Sequence, residues 1–252
     1  LSLVDWHVDD AVATATLNDP SRRNALSGKL RAELTGRFEE FEARDDLRVL
    51  VLAGAGPAFC AGGDLAEMPT ELAAARRFLG DVLWWLATPE RLSKPVIAAV
   101  DGPAAGGGLE LAIACDLIVA SESATFSTPE ALVGLAPAFG MVRLHRIIGP
   151  AAAKRMAFTG QPITAAEAYR LGLVGEVVAP GEALPAARRV AQSMLRAAPL
   201  AQAVIKSALN RDLGGGELAH ARDGEAQLYL TADCREGIAA FHEKRKPTFR
   251  GH

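Results

Sequence analysis

Apolar and polar positions alternate where the chain begins. Val4, Trp6 and Val8 are separated by polar residues, Asp9-Asp10 interrupts them, and Val12 to Leu17 resumes in β-favouring residues. This pattern predicts an opening hairpin. After the loop Asn18-Asp19-Pro20-Ser21, the residues Leu26, Leu30, Leu34, Phe38 and Phe41 recur at helical spacing and predict a helix from Ala25 to Arg44. Three short apolar runs bounded by turn residues follow: Arg48 to Ala53, Val96 to Val100 and Leu117 to Ala120. They suit buried strands, although periodicity alone does not separate them from short core helices. Helical patterns lie between them. From Pro150 the pattern changes to helices in series, at about 150–159, 164–171, 182–197, 199–212, 217–230 and 233–244. Thr164 and Glu167 have capping-box spacing, and Gly172 closes that helix. Strands with helices first and helices alone afterwards predict an α/β core, 1–190, followed by a helical region, 191–252.

Composition narrows the function. The chain has 252 residues, half of them apolar, and a chain of this mass buries roughly 70% of its surface on folding. Disorder is therefore excluded. No apolar run approaches the roughly 18 residues of a bilayer-spanning helix, so no membrane partner is expected. With 27 basic against 30 acidic residues there is no excess charge to hold a polyphosphate backbone, so no nucleic-acid partner is expected either. Cys60, Cys115 and Cys234 are an odd number with no CxxC pair, which fits a reducing, cytoplasmic compartment. Leu1 to Asp10 is acidic and alternating, unlike a signal peptide.

Two glycine-rich turns carry the candidate chemistry. Phe59-Cys60-Ala61-Gly62-Gly63-Asp64-Leu65 follows the predicted strand Arg48 to Ala53, and Asp101 to Glu110 (DGPAAGGGLE) follows the strand Val96 to Val100 and opens a helix. Glycine lets a backbone N–H approach a ligand closely, and a helix start adds partial positive charge. Two such loops could hold one oxyanion, although either alone is read first as a tight turn. Neither fits GxxxxGK[ST], and the second lacks GxGxxG spacing, which removes those two kinds of nucleotide site. Pro95 to Ala120 contains no Ser, Thr or His. Cys115, read as eight residues inside the helix from Gly107, is not expected to be an activated thiolate. The histidines show no metal-ligand spacing, so no catalytic metal is expected. Carboxylates remain as acid/base candidates. Glu110 lies three residues after Gly107, on the face of the Gly107 N–H if the helix opens at Gly106 to Gly107, and Glu130 sits in the apolar turn Phe126-Ser127-Thr128-Pro129-Glu130.

At these residues the chain resembles the enoyl-CoA hydratase/isomerase, or crotonase, family. The matching stretches are Arg23-Asn24-Ala25-Leu26, Ala58 to Leu65, Lys94 to Asp116, Ala124 to Glu130, Thr159-Gly160, Ala165 to Val174 and Thr231 to Phe249, in family order over nearly the whole chain. The resemblance implies an α/β spiral of ββα units, as in the ClpP/crotonase fold, with C-terminal helices that pack trimers, often paired into hexamers. It implies coenzyme A thioesters as substrates, with no separate cofactor. It places the two oxyanion-hole N–H groups at Gly63 and Gly107 and the two catalytic glutamates at Glu110 and Glu130. It implies that Arg23, beside Ala25 and Leu26, meets the coenzyme A phosphates, and that the loop from Ala61 through Gly63, Asp64, Leu65 and Ala66 borders adenine and pantetheine. Phe241 and Lys244 match positions that reach the nucleotide, in some members from a neighbouring subunit.

One segment departs from the hydratase pattern. Where many members carry PGxGGxxRL, this chain reads Pro137 to Leu144 (PAFGMVRL), with Phe139 and Met141 expected to put bulk beside the acyl site. Retention of both glutamates favours a hydratase. The alternatives are an isomerase or another crotonase-type reaction, a catalytically silent acyl-CoA binder, and an RNA binder, the last disfavoured by the acidic first helix. The basic residues of Arg22-Arg23 and of Lys244-Arg245-Lys246 with Arg250 read as two small patches for the phosphates of one coenzyme.

Overall fold

The computed structural model describes residues 2–210, 222–224 and 226–248. Of the predicted helix 217–230, residues 217–221 and 225 lie outside the described residues, as does Arg250, and 222–224 and 226–228 are helical. The opening hairpin is present as β1 (Val4–Asp9) and β2 (Val12–Leu17), paired antiparallel. Parallel strands then join it: β3 (Val49–Gly54), β4 (Val96–Val100), β6 (Leu117–Ser121) and β9 (Glu176–Val178), in the order β1-β2-β3-β4-β6-β9. The continuous apolar runs of β3 and β4 follow from burial on both faces.

A second, smaller sheet holds β5 (Pro103–Ala105), β7 (Thr125–Ser127) and β8 (Ile163–Thr164). Isolated bridges Cys60 to Ala104 and Leu26 to Gly63 extend it toward the first glycine loop. Each turn of chain thus lays one strand in the large sheet and one short segment beside it, which is the expected spiral.

Helices cover both faces. The first, α1 (Gly28–Ala43), buries Leu30, Leu34, Phe38 and Phe41. It starts three residues later than the pattern predicts, because Ser27 is extended and its side chain accepts the Leu30 N–H. Next come α2 (Leu72–Leu86), α3 (Thr88–Arg91), α4 (Gly107–Ile113), α5 (Ala138–Thr159) and α6 (Ala165–Arg170), the last capped by Thr164 as predicted. The predicted helix at 150–159 is only the second half of α5. Gly149, at φ +77°, breaks that helix, and Pro150 opens its second segment. Beyond them, α7 (Ala183–Met194) lays Ala183, Ala186, Ala187 and Ala191 on Val49, Val51, Ile97 and Val119 of the large sheet. The series ends with α8 (Pro199–Leu209) and α9 (Ala232–Glu243). No helix among the described residues is long and apolar enough to cross a membrane.

Asn24 ties the first loops together. It is fully buried at φ +57°, a left-handed conformation that Asn tolerates. Its Nδ2 donates to the carbonyls of Ala55, Ala58 and Phe59, and its Oδ1 accepts the Asp19 N–H. Asn24→Ala leaves those groups unpaired, and urea denaturation is expected to show a loss of about 2–3 kcal/mol.

Candidate active site

The two glycine loops meet. Leu26 N donates to Gly62 O, Ala61 N to Arg23 O, Ala105 N to Cys60 O, and Gly106 N to Ser127 O. Gly62 (φ +95°) and Gly106 (φ +54°) adopt conformations that favour glycine. A methyl group built on Gly62 would stand 3.0 Å from the Gly107 nitrogen, and one built on Gly107 would stand 3.3 Å from the Gly63 nitrogen. The nitrogens of Gly63 and Gly107 are therefore neighbours. Neither N–H donates to another group among the described residues, and neither residue is buried. Leu26 is buried, and its Cδ1 borders the same spot.

Glu110 lies in the first turn of α4, behind these donors, and is 6% exposed. Its Oε1 accepts the Gly140 N–H at 2.7 Å. Gly140 is the third residue of α5, whose N-cap Pro137 offers no side-chain cap, so the Glu110 carboxylate takes a place at that helix start. Burial pushes the Glu110 carboxyl up, opposed by the N–H groups of Gly140 and Phe139. Glu130 sits in a 3-10 turn, Pro129–Val133. The residue is half-buried, but its Oε2 is sealed from solvent and has no partner. Burial pushes its carboxyl up, and the Glu110 charge adds to the rise. Its Oε1 would lie 3.0 Å from a methyl on Gly106, beside the Gly107 donor. Two carboxyls in unlike surroundings result: both are raised by burial, but the Glu110 rise is opposed by two N–H groups of a helix start, whereas the Glu130 rise is enlarged by the Glu110 charge.

The remaining sequence candidates divide. Arg23, Ala25 and Leu26 are joined to Ala61, Gly63, Asp64, Leu65 and Ala66 through the bonds above and the Leu26 to Gly63 bridge. Asp64 caps a 3-10 turn, Leu65–Glu67, by accepting the Ala66 N–H. Arg22 pairs with Asp64 at 2.5 Å, and Arg245 pairs with Glu236 and Glu243. The two basic patches read from the sequence are therefore smaller than expected, because one arginine of each, Arg22 and Arg245, is already paired within the chain. Arg23 and Lys244 are exposed, and neither side chain has a partner among the described residues.

Phe241 lies in α9 and Lys244 caps its end, and that helix packs on the turn carrying Glu130; methyls on Gly134 and Gly237 would meet Cys234 and Val133 backbone at 2.7 and 2.5 Å. Phe139 is fully buried in the main core, whereas Met141 is half-exposed. The Phe139 ring therefore packs inward, and this residue reaches the site through its backbone N–H. Cys115 lies just beyond the end of α4, not inside it, and burial pushes its thiol up. All three cysteines are free and buried. The sequence reading missed Gly140, whose role depends on a contact thirty residues away, and Asn24, which lay within a quoted motif but was given no task.

A family model described as enoyl-CoA hydratase/isomerase matches residues 7–252. A 2,3-dehydroadipyl-CoA hydratase of Escherichia coli is 40% identical over 246 residues, 95% of each chain. A short-chain-enoyl-CoA hydratase of Clostridium acetobutylicum is 38% identical over 243 residues, 93% of this chain and 92% of that protein. Among solved structures, a carnitinyl-CoA hydratase from Mycobacterium avium is 31% identical and superposes with a TM-score of 0.90 over 100% of both chains.

Proposed function

The chain belongs to the enoyl-CoA hydratase/isomerase family and has its crotonase-type spiral fold, and from that premise we propose that it is a 2-enoyl-CoA hydratase, adding water syn across the double bond to give a 3-hydroxyacyl-CoA. The observation that carries this reading is the pair of unengaged N–H groups of Gly63 and Gly107 beside two buried carboxyls in unlike surroundings. Attack of water at C3 moves negative charge onto the thioester oxygen. Donors already aimed at that oxygen stabilise the charge as it forms, each contributing about 10²-fold to 10³-fold. Glu110, the more readily ionised member, takes a proton from the attacking water. Glu130, the neutral member, delivers its proton to C2. The proton left on Glu110 and the one lost from Glu130 then re-equilibrate through the pair or solvent, closing the cycle. Coenzyme A enters as part of the substrate, and the chemistry calls for no further cofactor.

For the nucleotide end, the exposed Arg23, whose side chain has no partner among the described residues, supports a phosphate contact, with the Ala61 to Ala66 loop bordering the adenine and pantetheine. The exposed apolar residues Leu200, Val204 and Leu209 of α8 support association of copies, which we propose to be a trimer or a pair of trimers, with Phe241 and Lys244 serving a neighbouring site. We further propose that it works in the cytoplasm. Light scattering on the eluted protein should give a mass three or six times that of one chain; a monomer would remove the shared-site element of this reading.

The function is tested by turnover of crotonyl-CoA and longer 2-enoyl homologues. Loss of the conjugated absorbance with a product heavier by one water is expected. A product of unchanged mass would make the enzyme an isomerase, and coenzyme A affinity without turnover at every chain length would make it a silent binder.

A further inference from the structure

A buried ion pair outside the reacting groups holds the start of α5. Arg143 and Glu90 are joined by two hydrogen bonds, Nε to Oε1 at 2.9 Å and Nη2 to Oε2 at 3.2 Å, with side chains 5% and 8% exposed. The guanidinium also lies over the Phe139 ring, 5.2 Å from its centre. Arg143 is three residues after Gly140 and four after Phe139, so all three share one face across the first two turns of α5. Glu90 is itself fixed from behind. Its carbonyl accepts from Asn210 Nδ2, and the neighbouring Pro89 carbonyl accepts from the buried Lys206, which also binds Asp116 and the Lys94 carbonyl.

Such a pair is poor value for stability alone. Two buried charges carry a desolvation cost that apolar residues of similar size avoid, and Arg143 Nη1 is buried with no partner. What the fork does supply is a fixed rotation and depth for the turn whose Gly140 N–H holds Glu110.

We propose that Arg143, clamped by Glu90, is a positioning residue for Glu110: it fixes the first turn of α5 so that the Gly140 N–H holds the carboxylate at the angle needed to receive a proton from water. This rests on the reading of Glu110 as the water-activating base.

The test is a double variant, Glu90→Leu/Arg143→Met, which removes the fork without stranding a charge, alongside Arg143→Lys, which keeps the charge and gives up the planar fork. For the double variant we expect an unchanged or higher melting temperature, a kcat lower by about 10-fold to 100-fold, and a KM within about twofold. The acid limb of its kcat profile should move to higher pH, because losing the Gly140 N–H raises the proton affinity of Glu110, with Glu130 the other titrating group facing it. In a Glu110→Gln background the same double change should cost nothing further. A folded double variant with wild-type kcat and pH profile, or an equal loss on the Glu110→Gln background, overturns the proposal while leaving the base assignment intact. Full turnover by Glu110→Gln alone overturns the base assignment itself, and the positioning role with it.

Discussion

Glu110→Gln and Glu130→Gln each lower hydration of a 2-enoyl-CoA by about 10²-fold to 10⁴-fold, with the loss in kcat rather than KM. The reason is that neither carboxyl binds the coenzyme in this reading; each acts only while a proton moves. Gln keeps the shape of the side chain, and at position 110 its Oε1 can still accept the Gly140 N–H, so the fold should survive. The pair titrates as a unit, and turnover should fall on both sides of an optimum: at low pH as the anionic member is protonated, at high pH as the neutral member loses its proton. The Glu130 substitution should remove the second fall. Unchanged kcat in both variants would end the two-carboxylate mechanism.

The same groups leave a mark on stability. Folding raises the proton affinity of both carboxyls above the ordinary Glu value of 4.5, chiefly through burial. The folded chain then binds more protons than the unfolded chain above that value, so their contribution is fully present below it and lost as pH rises through the raised folded values. Denaturant midpoints of the wild type should therefore fall, relative to Glu130→Gln, as pH rises from the ordinary carboxylate range. Parallel curves for the two proteins would contradict the burial of an unpaired carboxyl at 130.

Long elements and motif residues were legible in the sequence, and short or long-range features were not. The hairpin, β3, β4, β6 and α1 carry enough apolar positions to show a period. Strands of two or three residues, β5, β7, β8 and β9, carry no period at all and exist because the spiral places them beside a neighbour. The first half of α5 is masked in the sequence because Gly149-Pro150 carries the signature of a helix start, although the helix already runs from Ala138 and only breaks there. Glu110, Glu130 and the two glycines could be named from position, but the difference between the carboxyls could not. It depends on Gly140, thirty residues from Glu110, and on the burial of the Glu130 Oε2, which only the folded chain creates. Charge counting likewise marked Arg22 and Arg245 as available, whereas Asp64 and Glu236 lie forty-two and nine residues away and neutralise them.

Gly108→Ala should abolish most activity and destabilise the protein together, whereas Gly63→Ala should leave stability untouched. Gly108 is the second residue of α4, and a methyl there would stand 2.2 Å from the Cys60 carbonyl oxygen and 2.8 Å from its carbon. That carbonyl cannot retreat, because it accepts the Ala105 N–H and the Cys60 N–H bonds Pro103 O. The helix must move instead, and it carries both the Gly107 donor and Glu110. Overpacking of this kind costs about 1–3 kcal/mol or more, and a shift of roughly 1 Å at reacting groups costs about 10²-fold in rate. Gly63 differs although it stands in the same motif: nothing lies within 4 Å of its added methyl, and its φ is not positive. The empty space in front of it is where the thioester would sit, so Gly63→Ala should raise KM at an unchanged melting temperature. Thermal melts and initial rates on the two variants separate these outcomes. A Gly108→Ala protein with wild-type melting temperature and kcat would show that the two loops do not need their close backbone approach to hold the oxyanion donors.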